Sequence, residues 1–170
     1  MELARPFQPI QGFIVKSGCL YQGVAASRLT LSFMELHMMT LALFLHVLGV
    51  VVWVGGMFFA YMALRPVAAS ALEPPQRLTL WAGVFGKFFP WVWLGIGLIL
   101  TTGLHMLVLL GGTSAPLYAL AMLGLGLVMM GVFFYIVFVP YKALRQAVAD
   151  ARWPDGGAAL AVIRKLVGFN

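Results

Sequence analysis

Few side chains in this sequence could do chemistry inside an otherwise apolar chain: the imidazoles of His46 and His105, and the thioethers of Met38, Met39 and Met106 near them. Imidazole binds transition metals through a neutral ring nitrogen, and soft thioethers favour Cu(I). Two histidines facing each other from neighbouring helices can equally hold a haem iron from both sides. Residues 40–60 form an apolar run in which His46 is the one ionisable side chain. Ionisable groups at membrane depth are costly to keep and are usually functional. At helical offsets of three, four and seven, His46 shares a stripe with Ala42, Gly49, Trp53, Gly56 and Ala60. Small residues let helix backbones approach closely in lipid, so this stripe is expected to pack against protein.

The composition requires such helices. Of 170 residues, 62% are hydrophobic and 9% charged, where soluble domains carry about a quarter charged residues. We therefore read an all-α integral membrane helical bundle in a lipid bilayer. Three runs are long enough to cross, at residues 38–64, 88–110 and 117–140, each exceeding the roughly 20 residues a bilayer requires. A fourth helix begins near residue 158 and is truncated by residue 170. Residues 78–85 fit either an interfacial turn or the start of the second span. Paired prolines at 74–75 end any helix in the first connection, and 141–157 reads as a polar amphipathic segment.

Residues 1–37 form an N-terminal extension, expected to be poorly ordered because Pro6, Pro9, Gly12, Gly18 and Gly23 break its periodicity. Met34, Met38 and Met39 stand directly before the first span, and the natural chain is expected to start at one of them. The lone Cys19 excludes an internal disulfide and a cysteine metal cage.

The net charge of +6 is not a nucleic-acid signal, because its basic residues are scattered over connections. It reports topology. Arg65, Arg77, Lys87, Lys142, Arg145, Arg152, Arg164 and Lys165 all fall on the side of the first connection and the tail, whereas the other side has no basic residue in its loop 111–116 and only the distant Arg5, Lys16 and Arg28 in the N-terminal stretch. Cytoplasmic loops carry the Lys and Arg excess, so the N-terminus lies outside, in a multi-pass protein of the bacterial inner membrane.

In this topology His46 and His105 lie about 8 to 12 Å deep from the outer surface, at one level. Copper would be held by His46 and His105 with Met38, Met39 or Met106 assisting. Haem b would use His46 and His105 as axial ligands, in a slot opened by glycines such as Gly49, Gly56, Gly95 and Gly103. A non-catalytic membrane subunit, whose histidines join helices by hydrogen bonds, is the third reading. His37 is expected to be solvated, Trp53 to pack, and Trp91 and Trp93 to form an interfacial belt. Met122, one turn below Tyr118, is a further candidate ligand. No acidic residue lies within a span, no nucleophile pairs with a base, and no catalytic residue is assigned. A short bundle would leave a groove, so a second copy or a membrane partner is expected to complete it.

His46 followed by Trp53-Val-Gly-Gly-Met-Phe-Phe and Leu64-Arg65-Pro66 resembles the opening helix of the copper resistance protein D family of bacterial inner-membrane proteins. Thr102-Gly103, Pro140 with Leu144-Arg145, and Ile163-Arg164-Lys165-Leu166-Val167 with Asn170 are similar too. The resemblance implies a small helical bundle concerned with copper, with His46 matching the first-helix histidine. The opening helix is also similar to that of bacterial membrane protoporphyrinogen oxidases, which are associated with haem. The chain departs from the pattern at Tyr118, where members often carry a histidine, and in its short fourth helix.

Overall fold

A computed structural model describes residues 33–170. The N-terminal extension before residue 33, with Cys19, lies outside the described residues. Among those described, all regular structure is helical: α1 (Phe33–Ala71), α2 (Pro74–Leu109), α3 (Leu117–Phe138), α4 (Pro140–Ala149) and α5 (Trp153–Phe169). Three helical runs, Phe33–Ala71, Pro74–Leu109 and Leu117–Ala149, are long and apolar enough to cross a membrane. The protein is an all-α membrane bundle.

The chain divides into two units, Met1–Leu41 and Ala42–Asn170. In the first, residues 33–41 are helical, with His37 Nδ1 donating to the Phe33 carbonyl at 2.7 Å and the Thr40 hydroxyl to that of Leu36 at 2.8 Å. Met38 is exposed and Met39 half-buried.

In the second unit the core is aromatic. Phe85 stacks on Phe89 with centroids 5.3 Å apart, Phe89 meets Tyr141 edge-on at 4.8 Å, and Phe133 meets Phe89 at 5.4 Å and Trp53 at 6.0 Å. Offset and edge-to-face pairs are the arrangements favoured by ring quadrupoles. Leu144 and Ile163, both 0% exposed, close the cluster from α4 and α5. Trp93, expected in an interfacial belt, stacks on Phe134 at 5.1 Å and so ties α2 to α3. Trp91 is exposed.

Prolines start helices here. Pro74 and Pro75 open α2, Pro140 opens α4 and Pro154 opens α5. At the first helical positions a missing N–H costs nothing and the fixed φ is already helical. Residues 78–85 therefore belong to α2, which continues through Pro90 to Leu109. The segment 141–157 is an α4–α5 corner, and the fourth helix begins at Trp153 rather than near 158. Asp155 in its first turn suits the positive end of the helix dipole. At the corner, Arg152 binds Asp155 at 2.8 Å and Asp150 at 3.0 Å. The Asp150 hydrogen bond first, then that of Asp155, raises the Arg152 guanidinium above its ordinary value.

Within α1, Val51–Gly55 and Ala60–Leu64 are wound as π turns around an α-helical Gly56–Phe59. Such turns are rare and frequent near functional sites. They shift the facing stripe, so Met57 and Leu64 join Trp53 and Ala60 against the core. A cavity of about 150 Å³ lies beside them, lined by Trp53, Met57, Phe88 and Phe133 among other apolar side chains, with Asn170 at its edge. Apart from Met57 and Asn170 its walls are hydrocarbon, aromatic or glycine.

Candidate metal-binding site

His46 lies where α1 crosses α2 at the closest approach of their backbones. A Cβ on Gly49 would stand 3.0 Å from the Gly95 carbonyl oxygen, and one on Gly95 would stand 3.2 Å from that of Gly49. Only hydrogen fits between the helices here. One turn from Gly49 on α1 and two turns from Gly95 on α2, a Cβ on Gly103 would stand 3.0 Å from Cε1 and 3.4 Å from Nδ1 of His46, so the imidazole rests on the α2 backbone. Ala42 and Trp53 of the same stripe are buried.

The ring is oriented by Thr102, which among the described residues is the one buried polar side chain. His46 Nδ1 lies 3.1 Å from Thr102 Oγ1. The Thr102 hydroxyl donates its single hydrogen to the Leu98 carbonyl. Toward His46 its oxygen must therefore accept, so Nδ1 carries the hydrogen. A neutral imidazole protonated at Nδ1 keeps its lone pair on Nε2, and fixing one ring nitrogen by a hydrogen bond is how proteins prepare the other as a metal ligand.

The other sequence-derived candidates are placed differently. His105 is exposed and, among the described residues, has no hydrogen-bonding partner. It follows Thr102 by three positions, putting it about 4.5 Å nearer the end of α2 and on the flank of the face that meets His46. Met106, half-buried, follows Thr102 by four and continues the face that meets α1. Tyr118 and Met122 are 62% and 65% exposed on α3. Met38 and Met39 belong to the first unit. Among the described residues no three His, Cys, Asp or Glu side chains gather as a metal cluster.

The sequence brought Thr102 forward only as part of the Thr102-Gly103 pair of the family resemblance, not as a partner of His46. The available signal was the Thr102-Gly103 pair itself: a hydroxyl next to a residue without a side chain, antiparallel to a histidine stripe.

Membrane-spanning helices, a tight glycine crossing and one oriented intramembrane histidine define a small helical membrane protein with a donor inside the bundle. The family model of copper resistance protein D matches residues 82–170, more than half the chain, and the chain belongs to that family. The match takes in α2 from its third turn through α5, including Thr102, Gly103 and His105, and stops short of His46. No curated protein and no solved structure matches the chain. Membership gives the protein a copper-related membrane function.

Proposed function

We propose that the protein binds copper at the outer level of the membrane through Nε2 of His46, as a step in copper handling, with Met106 and His105 of α2 as further donors. The observation that carries this reading is the His46–Thr102 hydrogen bond, which leaves the Nε2 lone pair uncommitted. Cu(I) accepts low coordination numbers and soft donors, so an imidazole and a thioether suffice without a cluster of harder ligands. The donor set fits copper as cargo. The proposal is confined to the unit Ala42–Asn170, and Met38 and Met39 stand outside it as the candidates of the other unit.

No observation favours haem. Bis-histidine ligation would need a flat slot between His46 and His105, and the His46 ring already lies against Gly103. The reading further takes the membrane as the bacterial inner membrane, with the N-terminus and residues 111–116 outside, from the distribution of Lys and Arg. Association with a second copy or another membrane protein belongs to the same proposal, and crosslinking in native membranes that yields monomer alone would remove it.

The test is metal analysis and an absorption spectrum of the detergent-purified protein, oxidised and reduced, beside Cu(I) competition with a chromophoric chelator. Copper retention lost in His46→Ala and reduced in Met106→Leu is the expected result. A Soret band lost in His46→Ala or His105→Ala would replace copper by haem, and unchanged copper in His46→Ala would reject the site.

A further inference from the structure

At the opposite end of α1 a second site takes shape from residues the copper reading does not use. Near Asn170, α1 and α5 run antiparallel: Asn170 Nδ2 lies 4.0 Å from Met57 Sδ, and a Cβ on Gly168 would stand 3.7 Å from the Tyr61 ring. One turn further down both helices the same pairing brings Arg65 level with Arg164. The two arginines line one cleft of about 30 Å³ between α1, α2 and α5, together with the partly exposed Ala60, Tyr61 and Val167 and the buried Trp81, Leu160 and Ile163. Arg65 stacks its guanidinium 4.9 Å above the Tyr61 ring, a contact that engages its face and leaves its N–H edge to donate.

Two like charges flanking a cleft repel unless an anion lies between them. Among the described residues neither arginine has a carboxylate partner, and the nearby pair Asp150 and Asp155 is held by Arg152. Arg65 also stands directly after the apolar run of α1, at the level where a bilayer presents its phosphates. Guanidinium forks match phosphate oxygens in pairs, while the partly exposed side chains of Ala60, Tyr61 and Val167 on the same cleft suit an acyl chain. A free phosphate would use the guanidiniums alone.

From this arrangement we infer that the Arg65–Arg164 cleft is a binding site for an anionic phospholipid, with the headgroup phosphate between the guanidiniums and an acyl chain along Ala60, Tyr61 and Val167. It is the kind of basic inter-helix pocket that holds anionic headgroups on the cytoplasmic side of membrane proteins.

Native mass spectrometry of the full chain, titrated with phosphatidylglycerol or with phosphatidylethanolamine, tests it. Arg65→Gln with Arg164→Gln should weaken phosphatidylglycerol binding about 30-fold, the expected worth of two interfacial arginines. Arg65→Lys with Arg164→Lys, which keeps the charge and guards against a folding defect, should retain most of it. Arg152→Gln, which removes a cation already paired, should leave it unchanged. Equal binding of phosphatidylethanolamine, binding unaltered in the double Gln variant, or displacement of the lipid by millimolar inorganic phosphate would each overturn the inference.

Discussion

Where α2, α4 and α5 meet, large side chains fill the space between backbones; at the α1–α2 crossing around His46, the backbones themselves touch. The first region holds Phe85, Phe89, Tyr141, Leu144 and Ile163 in one buried cluster. The second has Gly49 against Gly95 and Gly103 against an imidazole. Around residues 117–128 of α3 no side chain is buried, and Gly124 and Gly126 face open space. Aromatic burial supplies stability over a broad area. A glycine crossing supplies position, because rigid backbones a few ångströms apart leave a side chain between them one place to go. The difference teaches that the fold and the candidate metal ligand rest on separate sets of residues, so each should fail without the other.

The largest separation is expected from the aromatic end. Phe133 touches Trp53, Phe89 and Trp93, and Phe133→Ala should cost about 3–5 kcal/mol of stability by removing buried rings and leaving a cavity. Copper affinity of the folded fraction should fall by less than about tenfold, because the aromatic end reaches the Gly95 crossing through Trp53, which stands 3.8 Å from a Cβ on Gly95, and not through the His46 ring. Denaturant unfolding in detergent measures the first quantity and chelator competition the second. A parallel collapse of copper binding in protein that remains folded would show that the two ends are one cooperative site.

The converse cut is Gly103→Ala. The added methyl would meet Cε1 of His46 at 3.0 Å, so the ring must shift by a few tenths of an ångström against a Thr102 contact already at 3.1 Å. Copper affinity should fall about 10- to 100-fold, as for lost outer-shell partners of metal-binding histidines. Thr102→Val, which keeps shape and removes the acceptor, should give a smaller loss in the same range, and Thr102→Ser should restore it. Nitrogen NMR of histidine-labelled protein should show His46 protonated at Nδ1 in the parent and in Thr102→Ser, and a mixture of tautomers in Thr102→Val. An Nδ1-unprotonated parent would remove the basis for the Nε2 ligand even if copper binds.

What could be read from the sequence divides along the same line. The bundle was legible because apolar runs of bilayer length need no partner to be recognised, and the His46 stripe because one ionisable group stands among small residues. The helix starts were not legible from prolines alone. Pro74, Pro140 and Pro154 look identical as stops and as first-turn residues until the chain after them is seen to pack, as Leu144 and Ile163 do at 0% exposure. The position of His105 along its helix was readable by counting, but its angular place was not. Three residues from Thr102 is about 60° off a face, and the π turns of α1 shift the register against which that angle is set. Thr102 escaped because its hydroxyl is satisfied within its own helix, and only the neighbour's ring shows that the oxygen accepts a second hydrogen bond.

The smallest effect sharpens the comparison in the stabilising direction. Ala151, between α4 and α5, is held at φ 57°, where a side chain crowds its own backbone. Replacing it by Gly removes that crowding but gives the unfolded chain more freedom, and the two terms oppose each other. With strain of about 1–2 kcal/mol relieved and a little under 1 kcal/mol of entropy lost, Ala151→Gly should gain roughly 0.5–1 kcal/mol. The gain would come from the corner that presents Leu144 and Ile163 to the aromatic core. His46 lies at the other end of that core's longest helices, so copper affinity should not move. A thermal melt in detergent with and without Cu(I) reads both quantities from one sample: the melting temperature should rise, and the increment added by copper should be the same in parent and variant. A changed copper increment would mean that the packed end sets the helix crossing at His46, and the two regions would then share one mechanical frame.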